Sequence, residues 1–393
     1  MRLVQDRDAV IIDAVRTPIG RKKGSLSRTR PDEMAAFLLK ELVSRNRLNP
    51  SEVEDIKMGC VTQIGEQGYN IGRLAALIAG FPVEVCGVSV NRMCGSSLET
   101  LAQAAHAIMA GMADCVIAAG VESMNRVPMG SDGGSFSERL LERYNIIPQG
   151  FSAELIAEKW NLSREELDQF SLDSHRKAIQ AQKEGRFANE IIPIECQTSA
   201  GEPMLLTEDE TPRPDTSLET LAGLRPSFQS DGKVTAGNSS QISDGAAAVL
   251  LTSRKKAESL GLTPRARVVA TALAGVDPEI MLTGIIPATK KVLERAGLTL
   301  DEIDVFEVNE AFASVVLAWQ REIGPDPEKV NPNGGAIALG HPLGASGARM
   351  TATLINELER REGRYGLATM CIGFGMAVAV ILEREGRHGS KTL

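Results

Sequence analysis

Of the six cysteines in this 393-residue chain, Cys94 stands where chemistry could be done. The run Val88-Ser89-Val90-Asn91-Arg92-Met93-Cys94-Gly95-Ser96-Ser97-Leu98-Glu99 passes from β-branched residues into a pattern that sets Leu98, Leu101, Ala105 and Ile108 on one helical face. Cys94 is therefore expected at a helix N-terminus, where Ser96 and Glu99 have capping-box spacing. Free N–H groups and the positive dipole end beside the sulfur are expected to lower its pKa. Gly95 is expected to let a ligand approach the backbone. This context fits an activated nucleophile and a packed core cysteine equally well.

A nucleophilic thiol needs a base, and the chain has four histidines. His106 falls inside the alanine-rich helix after Cys94, His175 on a charged helix and His388 in the polar tail, so ordinary packing or solvation accounts for each. His341 lies in Asn333-Gly334-Gly335-Ala336-Ile337-Ala338-Leu339-Gly340-His341-Pro342-Leu343-Gly344-Ala345-Ser346-Gly347, a turn whose glycines bring backbone very near something. A further cysteine, Cys371, ends the apolar run Ala368 to Ile372 before Gly373-Phe374-Gly375. That turn lacks the third glycine and the following helix and acidic residue of a dinucleotide fingerprint. Cys371 reads either as a proton carrier or as a buried core thiol.

The elements that would position these residues occur twice. Residues 37–47 lead into 56–58, and about 250 residues later 287–296 lead into 305–308. Each half continues with a sharp turn, an Ala/Gly-rich helix and an apolar strand: 91–110 then 114–119, and 341–361 then 366–372. If the halves pack about a pseudo-twofold axis, the Cys94 and His341 turns meet. Runs such as Cys115 to Ala119 and Val378 to Leu382 suit strands covered on both faces, so two α/β layers share one core. The expected division is a first half of 1–121 and 250–264, an inserted loop domain of 122–249, and a second half of 265–393. The insert is expected to be mostly solvated, with one helix capped by Ser163 and Glu166.

Composition excludes several classes of function. A net charge of −8 and an aromatic content of 4% argue against nucleic acid and anionic membranes, which need a basic footprint or stacking platforms. Met1 to Val10 hold no signal-like apolar run, and no later run reaches the length of a membrane span, so the expectation is a soluble cytoplasmic protein without membrane insertion. The cysteines form no CxxC pair, which argues against a disulfide framework and against a metal site.

Asn91-Arg92-Met93-Cys94-Gly95-Ser96, Asn309-Glu310-Ala311-Phe312-Ala313, Gly334 to Gly347 and Cys371-Ile372-Gly373 together resemble the motifs of the thiolase family, over nearly the whole chain. Thr235-Ala236-Gly237-Asn238-Ser239-Ser240 with Asp244-Gly245-Ala246 resembles the stretch where that family's insert rejoins the first half. The resemblance implies a duplicated, layered α/β/α/β/α fold with an inserted loop domain. It implies a CoA-dependent cleavage of 3-ketoacyl-CoA, or the reverse condensation, with CoA as substrate, no bound cofactor, and a homodimer or homotetramer.

By the same resemblance Cys94 is the acylated nucleophile, His341 its base, and Cys371 the acid/base at the α-carbon of acetyl-CoA. Asn309, through a water, helps His341 hold the thioester oxygen. The N–H groups of Cys94 and Gly373 form a second oxyanion hole. Ser240 touches the pantetheine arm and Arg213 packs near the adenine. Acetoacetyl-specific members carry a His-Met pair where this chain has Pro148-Gln149, and Phe374 replaces a glycine common in the last turn, so longer 3-ketoacyl chains are expected over acetoacetyl-CoA alone. A β-ketoacyl synthase would need two active-site histidines where only His341 is available, and a non-catalytic CoA- or lipid-binding scaffold would leave the filled chemical positions without purpose.

Overall fold

A computed structural model describes residues 6–198 and 200–386; His388 and the opening residues 1–5, both read above, lie outside them. Nine strands follow one another across a sheet: Ile303–Val308, Tyr365–Ile372, Met376–Arg384, Ala266–Gly275, Ala9–Arg16, Ser243–Ser253, Cys115–Ser123, Asp55–Gly59 and Cys86–Val90. Among the described residues the two halves of this sheet join only at Val10–Arg267 and Ile11–Ala266. The duplication is visible in the pairing. Asp55–Gly59 runs parallel to Cys115–Ser123, which pairs antiparallel with Ser243–Ser253. Ile303–Val308 likewise runs parallel to Tyr365–Ile372, which pairs antiparallel with Met376–Arg384.

Three apolar clusters separate the layers. Helices Pro31–Arg45 and Ile71–Ile78 cover the outer face of the first half through Leu38, Leu42, Ile71 and Ala75. Helices Ile285–Ala296 and Ala313–Ile323 cover the outer face of the second through Ile285, Val292, Val316 and Trp319. Between the half-sheets lie helices Ser96–Met109 and Ser346–Arg361, whose Leu98, Leu101, Leu354 and Ile355 meet strand residues of both halves. A strand with both faces covered needs no polar alternation, and for that reason Cys115–Ser123 and Ser243–Ser253 are buried at every position. The layered α/β/α/β/α arrangement is present.

Details differ from the expectations. The first helix starts at Pro31, six residues before 37, because proline suits the first helical turn. The insert helix Arg164–Lys183 does carry the Ser163–Glu166 capping box. It is not mostly solvated, since Leu167, Leu172, His175 and Ala178 are buried. The positions 121/122 and 249/250 fall inside strands Cys115–Ser123 and Ser243–Ser253, which pair with each other along their length.

Candidate active site

Cys94 sits in a tight turn between strand Cys86–Val90 and helix Ser96–Met109. Met93, just before it, has φ +46°, a left-handed conformation that the Asn91 side chain supports by accepting from the Met93 N–H at 2.8 Å and donating to Val61 O at 3.0 Å. The expected Ser96–Glu99 capping box does not form. Ser96 is the first helical residue, its Oγ accepts from Arg92 N at 3.0 Å and donates to Met93 O, and Glu99 pairs with Arg92 at 3.0 Å. Nor is Gly95 open to a ligand, because a Cβ there would lie 2.5 Å from Ile372 Cδ1.

The glycine-rich turn of the second half packs onto this one. Cys94 shares an apolar cluster with Val61, Met124 and Leu343, two residues from His341. A Cβ on Gly347 would lie 2.2 Å from Leu98 N, and Ala348 N donates to Ser97 Oγ at 2.9 Å. The glycines therefore let the N-termini of the two central helices touch. His341 is buried, with Nδ1 2.6 Å from Ser346 Oγ and Nε2 3.4 Å from Asn309 Nδ2. Asn309 follows strand Ile303–Val308, and its N–H prolongs the pairing by donating to Thr369 O at 3.0 Å. Its buried Oδ1 has no protein partner among the described residues, an acceptor suited to a water.

Cys371 lies near the end of strand Tyr365–Ile372, fully buried and close enough to Cys94 that negative charge on the latter disfavours its ionisation. After Ile372 the chain turns at Gly373, whose N–H, like that of Cys94, favours the Cys94 thiolate. Phe374 follows at φ +62°, half exposed, with its ring edge-on to Phe136 of the insert at 5.9 Å. Glycine adopts that backbone conformation without strain, whereas phenylalanine does not.

Ser240 and Arg213 lie on the insert side. Ser240 N donates to Ala311 O at 2.9 Å, tying its loop to the segment that carries Asn309. The neighbouring Gln241 accepts from His341 N and donates to Ile337 O and Thr211 O. Arg213 is exposed at a cavity of about 230 Å³ that it shares with His175, Leu221, Gly237 and Gln241. Buried His175, read above as ordinary packing, accepts from Arg213 N at 3.1 Å and so holds that loop.

The family models for the thiolase N-terminal domain and the thiolase C-terminal domain match residues 9–255 and 262–384. The chain belongs to the thiolase family. It is 48% identical over 388 residues to a 3-ketoacyl-CoA thiolase of Vibrio vulnificus (strain CMCP6), covering 96% of this chain and 100% of that one. It is 47% identical over 399 residues to the 3-oxoadipyl-CoA/3-oxo-5,6-dehydrosuberyl-CoA thiolase of Escherichia coli (strain K12), with 96% and 100% covered. Among solved structures, the Bacillus anthracis acetyl-CoA acetyltransferase superposes with TM-score 0.90 at 40% identity over 96% of this chain and 99% of that one. Human mitochondrial 3-ketoacyl-CoA thiolase superposes with TM-score 0.89 at 38% identity over 97% and 100%.

The thiolase's charges depart from the expectation at its thiol. Burial pushes the Cys94 pKa up to about 11, outweighing the N–H groups of Cys94 and Gly373 and the Gln149 amide that favour the thiolate. Burial also lowers His341 to about 3, aided by the positive charge of Arg349, so its imidazole is neutral. The resting pair is thus a neutral thiol and a neutral base, not a preformed ion pair. Sequence reasoning missed three contributors. Ser346 partners His341, and Glu122 accepts from Val61 N, Thr62 N, Gln67 Nε2 and Gly344 N, joining the loop after strand Asp55–Gly59 to the His341 turn. Gln149 starts helix Gln149–Lys159, where only its departure from the acetoacetyl-type pair marked it.

Proposed function

We propose that this chain catalyses CoA-dependent thiolysis of 3-ketoacyl-CoA to acetyl-CoA and an acyl-CoA shorter by two carbons, the chain-shortening step of fatty acyl β-oxidation. The observation that carries the reading is the convergence of Cys94, His341, Asn309 and Cys371 from two duplicated halves into one buried centre. Neutral His341 takes the Cys94 proton as the sulfur adds to the C3 carbonyl. The N–H groups of Cys94 and Gly373 hold the developing C3 oxyanion, while Asn309, with a water, and His341 hold the thioester oxygen on which the enolate charge forms. The C2–C3 bond breaks, leaving an acyl group on Cys94 and the enolate of acetyl-CoA, which Cys371 protonates. The Cys371 thiolate then takes the proton of incoming CoA, whose sulfur adds to the acyl-cysteine. The N–H groups of Cys94 and Gly373 stabilise this second oxyanion, and Cys94 departs and recovers its proton from His341. The reverse sequence condenses two acyl-CoA molecules.

The insert supplies the CoA end of this reading, with Ser240 along the pantetheine arm and Arg213 at the outer cavity beside the adenine. No helix among the described residues is long and apolar enough to cross a membrane. We propose that the enzyme works in the cytoplasm. Strand Cys86–Val90 is paired on one side only, and beside it Tyr69, Leu77, Ile78 and Val83 are exposed. We assign this edge to a second copy of the chain, because an uncovered apolar strand edge invites pairing. Sedimentation would distinguish dimer from tetramer.

The reaction is tested with 3-ketoacyl-CoA esters of increasing chain length and CoA as acceptor. Cleavage of esters longer than acetoacetyl-CoA is expected, and Phe374→Gly should lower kcat/KM for them more than for acetoacetyl-CoA by removing the Phe136–Phe374 wall. Activity confined to acetoacetyl-CoA would return the enzyme to the acetyl-CoA C-acetyltransferase reading.

A further inference from the structure

Gln149 opens helix Gln149–Lys159, and its side-chain amide reaches the Gly373 turn. Its Nε2 lies 3.1 Å from the point where a Cβ on Gly373 would be, and the Met93 methyl lies 3.8 Å from the same point, so the amide rests where the Gly373 turn meets the Cys94 turn. From there the amide favours the Cys94 thiolate, as the N–H groups of Cys94 and Gly373 do. The side chain projects from the first turn of helix Gln149–Lys159, with Pro148 fixing the entry and Ala153 and Ile156 anchoring the helix in the second half's core. It is half-buried, so the amide is not sealed into the core.

We propose that Gln149 is a further catalytic donor of this enzyme, holding the Cys94 thiolate before acylation and the acyl-cysteine oxyanion afterwards, beside the N–H groups of Cys94 and Gly373. A thioether at this position can accept weakly but cannot donate, whereas a carboxamide has two N–H groups. Cys94 has a particular need for such a donor because it is buried, with Cys371 and Glu122 as the nearest groups able to carry negative charge against it. An N–H aimed at developing charge in a water-poor site contributes far more than it would in water. The inference rests on the thiolase reading for the oxyanion step, while the thiolate step concerns the free enzyme.

The test compares wild type with Gln149→Met and Gln149→Glu. Gln149→Met keeps the bulk and removes the donor, so kcat for thiolysis should fall about tenfold to a hundredfold with KM little changed. Alkylation of Cys94 by iodoacetamide in substrate-free enzyme should also slow. Gln149→Glu is nearly isosteric and places a carboxylate beside the sulfur, so it should slow alkylation further; it carries the test if Gln149→Met fails to fold by circular dichroism. Alkylation at the wild-type rate in the folded variant, or an unchanged kcat with only KM or chain-length preference altered, would overturn the proposal. Alkylation needs no substrate, so a chain inactive toward every 3-ketoacyl-CoA would refute the thiolysis reading and leave the thiolate claim decided on its own.

Discussion

His341 donates from Nδ1 to Ser346 Oγ at 2.6 Å, because the Ser346 hydroxyl hydrogen is directed to Pro342 O at 2.9 Å. The serine can therefore only accept from the ring, and the lone pair is left on Nε2, facing Asn309 at 3.4 Å. One hydroxyl thus favours the tautomer whose Nε2 lone pair is turned toward Asn309.

Ser346→Ala is expected to lower kcat by about tenfold to a hundredfold with little change in KM, as part of the His341 population turns to the wrong tautomer. Stability should fall by about 1–2 kcal/mol for the lost buried hydrogen bond. Ser346→Thr, which keeps the hydroxyl, should restore much of kcat. Steady-state kinetics decide the matter, and a full wild-type kcat in the alanine variant would show that Ser346 merely packs.

The two cysteines should fail differently. Cys94→Ala is expected to abolish both cleavage and condensation, and intact-protein mass spectrometry of wild type should find the acyl adduct on Cys94. Cys371→Ser should slow deuterium exchange into the acetyl-CoA methyl group by about a hundredfold or more while acetyl-Cys94 still forms, since a buried hydroxyl is a far weaker acid and base. Fast exchange in that variant would move the α-proton to another base, of which His341 is the nearest by role.

Glu122→Gln tests the tie between the loop at Val61 and Thr62 and the His341 turn. The buried carboxylate accepts from four donors, and an amide must turn one N–H against them. A loss of about 3 kcal/mol is expected by chemical denaturation. The kcat should drop too, because Gly344 N is one of those donors and lies three residues from His341. A variant as stable as wild type would refute the clamp.

Acid should weaken the fold through its buried histidines. His341 is lowered to about 3 and His175 to about 4 from an ordinary value of 6.5, so below pH 6.5 the unfolded chain binds protons that the native state refuses. Stability from these groups is fully present above pH 6.5 and declines toward pH 3–4, by about 2 kcal/mol per histidine at pH 5. Glu307, pushed up to about 8 by burial, works in the opposite sense, stabilising most at low pH. Urea denaturation of wild type and His341→Asn at pH 7 and pH 5 isolates one histidine by difference. Equal losses in both proteins would show that His341 is not held neutral.

The groups proposed to react stood out in the sequence because each lies at a junction between a periodic element and a turn. Cys94 follows a β-branched run, His341 lies in a glycine-dense turn, and Cys371 ends an apolar run; all three junctions recur in the fold. The duplication was legible for a related reason, since strands and helices that must cover one another impose their periodicities twice. The capping box at Ser163 formed as its spacing required, with one Glu166 oxygen on Ser163 N and the other left to Arg321. At Ser96 the same spacing failed, because the backbone of the preceding Cys94 turn claimed the hydroxyl first.

By itself the sequence determined the family, the order of the elements and the residue types available for acyl transfer, all properties of local pattern along the chain. Only the tertiary structure decided the state of those residues. The neutral thiol, the imidazole tautomer, the Glu122 clamp and the place of Gln149 depend on burial and on partners between about 5 and 220 residues away in the chain. Desolvation and hydrogen-bond geometry are set by what surrounds a group in space, and one-dimensional spacing carries no measure of either.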